Sequence, residues 1–140
     1  MNVFADTSAL YALLVRDDLM HSKARDLFAL FSRSAVQLVS SSYVLLESTA
    51  LLQSRIGLAA VLDFNAKIVP LLDLVWVDAA WHDRAMQRLL ARADRNLSLV
   101  DCLSFEIMEM KDIRVAFSFD RHFEENGFEL AAVPLADTSY

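Results

Sequence analysis

Asn2-Val3-Phe4-Ala5-Asp6-Thr7-Ser8-Ala9-Leu10 opens the chain as an apolar run halted by an acid and two hydroxyl residues. The run has the character of a buried strand and Asp6-Thr7-Ser8 is a turn signal; the apolar residues beyond predict a helix over about Ala9 to Val15. The same order returns far downstream, where Val115-Ala116-Phe117-Ser118-Phe119 leads to Asp120 and one or two helical turns ending near Asn126. Two strands that each deliver an aspartate at the carboxyl end point to a site there, because open parallel sheets bind ligands outside that end of their strands.

Between these stretches, Ala24, Leu27, Phe28 and Phe31 recur at helical spacing and predict an amphipathic helix over His21 to Arg33. Val36 to Ser40 reads as a strand, Ser41-Ser42 as the start of a helix to about Ser54, and Leu58 to Ile68 as a further helix closed near Pro70. Leu74 to Val77 is a strand candidate, followed by helices over about Ala79 to Arg95 and Leu99 to Met110, and Ala131 to Val133 is a last short strand. No linker or repeat divides the chain. The expected architecture is one domain over residues 1–140, an α/β sandwich with a mostly parallel central sheet flanked by helices.

Composition narrows the function. Apolar residues make up 56% of the 140 and mean hydropathy is positive, which predicts a packed core and an apolar surface that needs a partner, most simply a second copy of the chain. The longest stretch without a charge runs only from Ser34 to Leu46, short of the roughly 18 to 20 residues of a membrane span. The N-terminus has no basic segment before its apolar run, so it does not read as a signal peptide and a cytoplasmic protein is expected. The single cysteine, Cys102, excludes an intrachain disulfide and a multi-cysteine zinc site and reads as a core residue. The two glycines, Gly57 and Gly127, belong to no phosphate-cradling loop, which excludes P-loop and dinucleotide folds. A net charge of −6 argues against unspecific binding of nucleic acid over the whole surface, though not against a local basic track.

Four acids stand at pointed positions: Asp6, Glu47, Asp101 and Asp120. Each of the three aspartates also fits a helix-capping role, and Ser98-Leu99-Val100-Asp101 fits a capping box. Capping does not exclude metal binding, because the first turn of a helix orients and favours an anion. Glu47 is harder to explain structurally. Its helical neighbours are Tyr43, Val44, Ala50 and Leu51, and it is the only charge between Ser34 and Ser54. Buried there, it calls for a metal or an ion-pair partner. Carboxylates about 5 Å apart repel by about 3 kcal/mol per pair at an effective dielectric near 20, so a cluster of them needs a cation or protons. Oxygen donors suit magnesium or manganese rather than zinc, and His21, His82 and His122 show no ligand pairing.

On these residues the chain resembles the PIN-domain ribonucleases, especially the VapC-like toxins of bacterial toxin–antitoxin pairs. Phe4 to Leu13 is similar to the family's opening strand with its first metal carboxylate, Glu47 stands where the second acid belongs, Ser98 to Phe105 is similar to the third acidic motif, and Phe117-Ser118-Phe119-Asp120-Arg121-His122-Phe123 to the fourth. The resemblance runs in order along essentially the whole chain. One departure is Ser118, where many relatives carry threonine; the hydroxyl is retained. The resemblance implies a magnesium- or manganese-dependent endoribonuclease, with Asp6 and Asp101 as principal metal ligands and Glu47 and Asp120 completing the acidic pocket directly or through water. It implies Ser8 as a supporting hydroxyl, attack by water with a 5′-phosphate product, and a small antitoxin as partner.

RNA approaching an acidic protein needs cations, and Arg84, Arg88, Arg92 and Arg95 repeat at helical spacing. They read either as a solvated face balanced by Asp83 and Asp94 or as an RNA or partner contact. Two other functions compete: a weakly catalytic or non-catalytic protein- or RNA-interaction module on the same fold, and an aspartate-nucleophile phosphatase suggested by Asp6-Thr7 after a strand. The phosphatase chemistry usually needs a second aspartate at position 8, where this chain has Ser8.

Overall fold

A computed structural model describes residues 1–133; the last seven positions of the expected single domain, 134–140, lie outside the described residues. Strand β1 (Asn2–Ala5) buries Val3, Phe4 and Ala5 at the centre of a five-stranded sheet, flanked by β2 (Gln37–Ser41) and β4 (Val115–Phe117). The order is β3-β2-β1-β4-β5, with β3 at Leu72–Val75 and β5 at Glu129–Leu130, and every pairing is parallel. Buried parallel strands account for the near-continuous apolar runs of β1 and β4. From β1 the chain steps outward through β2 to β3, then crosses back to place β4 on the other side of β1. The reversal makes the β1/β4 boundary the switch point, where α/β sheets open a crevice.

The connections are helical: α1 (Thr7–Leu14) and α2 (His21–Arg33) after β1, α3 (Ser42–Arg55) and α4 (Leu58–Asp63) after β2, α5 (Ala79–Arg92) and α6 (Leu99–Met110) after β3, and α7 (His122–Glu125) after β4. Helix α6 is the most deeply buried, with Cys102, Leu103, Phe105, Ile107 and Met108 all inside, and Phe105 packs edge-on to Phe123 of α7 at 5.1 Å. Burial raises the pKa of the Cys102 thiol, in keeping with a core role.

Several boundaries differ from the sequence expectation for local reasons. β3 lies at Leu72–Val75 instead of Leu74–Val77, because its ladder partner β2 ends at Ser41, which pairs with Val75 and caps α3. Trp76 is left 69% exposed, and Val77 donates its N–H to Ser42 Oγ at 2.9 Å. Leu58 to Ile68 is not one α-helix: a π-helical turn at Phe64–Ile68 follows α4 and brings Phe64 and Ile68 into the core, and a 3-10 turn carries Pro70. β4 stops at Phe117 because Ser118 and Phe119 leave the ladder for side-chain partners. Among the described residues the last strand is Glu129–Leu130, not Ala131–Val133, since pairing with Val115 and Ala116 fixes its register. α5 ends at Arg92, where Ala93 turns left-handed at φ 52°.

Candidate metal centre

Asp6 follows β1 directly and is held by three donors. Its Oδ2 accepts the Ser8 hydroxyl at 2.9 Å, the Ser118 hydroxyl at 2.9 Å and the Ser8 N–H at 3.4 Å. The capping role therefore exists, and so does a link across the switch point, because Ser118 comes from the end of β4. Ser8 also accepts the Phe119 N–H at 3.0 Å, and Ser118 accepts the Asp120 N–H at 3.0 Å. These two serines stitch the loop after β1 to the loop after β4. Asp6 is 4% exposed, and burial raises its pKa to about 6; the Ser118 and Ser8 hydroxyls oppose the rise and the charge of Asp101 adds to it.

Asp101 enters from the first turn of α6, where both halves of the capping box form: Asp101 N–H to Ser98 Oγ at 3.0 Å and Ser98 N–H to Asp101 Oδ2 at 3.3 Å. Burial raises its pKa as well, opposed by the Ser98 N–H and reinforced by the charge of Asp120. Asp120 is part-buried and its Oδ1 accepts the His122 N–H at 2.9 Å. Each aspartate thus has one carboxylate oxygen anchored by the protein. Among the described residues the other oxygen of each receives no protein hydrogen bond.

The three aspartates and Glu47 line one open cleft of about 360 Å³, together with Asp18, Tyr11 and Arg55. Glu47 is not the deeply buried charge that its sequence neighbours implied. α3 turns Val44, Ser48 and Leu52 into the core, which leaves Glu47 half-buried at the cleft wall. Its desolvation therefore does not by itself demand a cation, and no ion pair holds it among the described residues.

The arginine series also reads differently in three dimensions. Arg88 bridges Glu106 and Glu109 at 3.0 Å each and lies over the Phe105 ring at 5.2 Å, its side chain only 12% exposed, so it fastens α5 to α6. Arg84 reaches Met110 Sδ at 3.5 Å, Arg92 is exposed at the helix end, and Arg95 lies past the left-handed stop and off the helix. None of the four lines the acidic cleft.

His122 joins this cluster although its sequence context did not single it out. Its Nδ1 lies 3.2 Å from Asp120 Oδ1 and 3.5 Å from Asp101 Oδ2, and Asp101, Asp120 and His122 each bring one ligand atom within 4.8 Å of the others. The available signal was its place two residues after Asp120. A search for paired histidines could not use that signal, because the partners are carboxylates.

A model of the PIN domain matches residues 3–129. The chain belongs to the PIN-domain family. A Mycobacterium tuberculosis (strain H37Rv) protein named 23S rRNA-specific endonuclease VapC20 is 34% identical over 127 residues, 90% of this chain and 95% of that one. The crystal structure of that VapC20, described as a sarcin–ricin loop cleaving toxin, superposes with a TM-score of 0.84 at 30% identity, covering 94% and 99% of the two chains. VapBC2 from Rickettsia felis, bound to a promoter DNA fragment, shares the fold at a TM-score of 0.66 and 13% identity, over 94% of this chain and 98% of that one. The PIN domain here is therefore VapC-like along nearly its whole length.

The donor set fits a hard divalent cation. Buried Asp6 and Asp101 resist ionisation, and both line one cleft with Asp120, an arrangement a bound cation would stabilise. The phosphatase reading loses its ground, because Ser8 is committed to holding Asp6.

Proposed function

We propose that this PIN-domain protein is a metal-dependent endoribonuclease acting as the toxin of a toxin–antitoxin pair. The observation that carries the reading is the convergence of Asp6, Asp101, Asp120 and Glu47 on one cleft at the carboxyl edge of the sheet. Asp6 and Asp101 would be the principal ligands of Mg²⁺ or Mn²⁺, with Asp120 and Glu47 acting directly or through water. A divalent cation bound there polarises a phosphodiester and lowers the pKa of water.

The chain's own groups do the rest. Ser8 and Ser118 fix Asp6 by donating to one oxygen, so the other faces the cleft at no cost in side-chain ordering. The Ser98 N–H and the start of α6 orient Asp101 and partly offset the burial that opposes its ionisation. Asp120 and Glu47, less buried, are the groups that can orient an attacking water by accepting its proton in a hydrogen bond. Attack by that water leaves a 5′-phosphate.

The sarcin–ricin loop of 23S rRNA, named for the mycobacterial relative, is the first RNA to test. Exposed Leu46 on α3, Leu58 and Leu62 on α4, and Ile56 between the two helices favour a homodimer or an antitoxin contact over a bare monomer. No described helix is long and apolar enough to cross a membrane. The test is cleavage of ribosomal and transfer RNA with Mg²⁺ or Mn²⁺ by wild type, Asp6→Asn and Asp101→Asn. Undiminished cleavage by both variants would overturn the assignment of Asp6 and Asp101, and no cleavage by wild type would return the chain to the interaction-module reading.

A further inference from the structure

We infer that His122 is an inner-sphere ligand of the cation held by this cleft, so that the centre is a mixed nitrogen–oxygen site that prefers Mn²⁺ to Mg²⁺. The inference rests on the metal-dependent reading above and adds a residue that the acidic pattern does not contain.

Three observations meet at one atom. His122 Nδ1 is buried and close to two carboxylates, 3.2 Å from Asp120 Oδ1 and 3.5 Å from Asp101 Oδ2. Neither contact has hydrogen-bond geometry, and among the described residues Nδ1 is left without a partner. Buried polar atoms are nearly always satisfied, so an orphan needs a cause. If Nδ1 carried a proton, the N–H would be expected to point at one of the oxygens. If it carried a lone pair, that pair would face two anions, an unfavourable arrangement unless a positive charge lies among them. A cation bound to Nδ1 and to the two carboxylates resolves both cases.

The spacing agrees. Ligands about 2.1 Å from an octahedral ion sit about 3 Å apart when adjacent, close to the two contacts observed. The imidazole is also presented rigidly. The His122 N–H is fixed on Asp120 Oδ1 at 2.9 Å, its carbonyl accepts Asn126 Nδ2 at 2.7 Å, and the next residue, Phe123, is fully buried in the aromatic core. An imidazole ligand discriminates: Mg²⁺ favours an all-oxygen shell, whereas transition metals accept nitrogen.

The experiment uses Mn²⁺ alone, without RNA. Electron spin echo envelope modulation of the Mn²⁺-loaded full-length protein should show nitrogen coupling, lost in His122→Gln. Calorimetric titration should give Mn²⁺ affinity reduced at least tenfold by the substitution and Mg²⁺ affinity changed less than threefold. His21 Nδ1 is engaged by the Ala12 carbonyl at 2.8 Å and His82 Nδ1 by the Tyr43 hydroxyl at 2.6 Å, and among the described residues only His122 is grouped with Asp101 and Asp120, so the coupling has one source. Mn²⁺ bound without nitrogen coupling, or bound equally well by the variant, overturns the role of His122 and leaves the metal centre standing. Failure of the wild type to bind either ion overturns both. The wild-type spectrum decides the matter even where the variant fails to fold.

Discussion

The cleft beyond β1 and β4 and the α5–α6 seam are both clusters of charge, but they are built on opposite rules. In the seam, Arg88 meets Glu106 and Glu109, and each charge has a partner. In the cleft, carboxylates gather with oxygens left over, two of them buried enough to resist ionisation. A paired cluster explains itself through packing. An unpaired one is a standing cost that a ligand can remove, which is why perturbed acids in a cleft mark function.

The widest separation of the two regions comes from Asp6→Asn and Asp101→Asn. Each should lower RNA cleavage about a thousandfold, equivalent to about 4 kcal/mol of transition-state stabilisation. Neither should lower the melting temperature of the metal-free protein, because each removes a repelled, desolvated anion. A parallel loss of stability and activity would make the aspartates structural.

The next test is pH. Asp6 titrates at about 6 in the fold against an ordinary aspartate value of 3.8, so the folded state binds the extra proton across that window. Stability from this group is complete below the unfolded pKa and is lost as pH rises through about 6, a change of roughly 3 kcal/mol. Thermal denaturation of metal-free protein should thus show a decline from pH 4.5 to 7 that is absent in Asp6→Asn. Mn²⁺ or Mg²⁺ at pH 7 should reverse it in wild type only. A flat difference between the two proteins across that range would contradict the raised pKa.

Arg88→Met probes the other region. It leaves Glu106 part-buried without its partner and removes the guanidinium from Phe105, for about 2 kcal/mol of stability after allowing for partial exposure. Cleavage per folded molecule and its salt dependence should stay as in wild type. A flattened salt slope would restore Arg88 to an RNA-binding track.

The strand-to-aspartate runs at Asp6 and Asp120 were legible because a parallel strand buried on both faces leaves a continuous apolar signature, and an acid follows its end. The span of α6 was legible for a similar reason, since its capping box is written in adjacent residues. What sequence could not supply was orientation around a helix axis and contact across the sheet. Glu47 sits among apolar letters, yet α3 rotates it to the cleft wall. Arg95 keeps helical spacing, yet Ala93 ends the helix before it. Ser118 looked like a tolerated replacement, and its hydroxyl proves to bridge the two central loops.

Glu47 is where the two rules come closest, and it gives the smallest expected effect. It is acidic and lines the cleft like Asp6, but it is only half-buried and carries no burial argument for a cation. A group that orients water by one hydrogen bond contributes less than a ligand, so Glu47→Gln should lower cleavage about tenfold, or about 1.4 kcal/mol. Stability should move by less than about 0.5 kcal/mol, as for an ordinary surface change. If the loss instead matches that of Asp6→Asn and Mn²⁺ affinity falls with it, Glu47 is a direct ligand. In that case cleft position alone would identify the metal-binding acids, with burial an accident of where α1 and α6 begin.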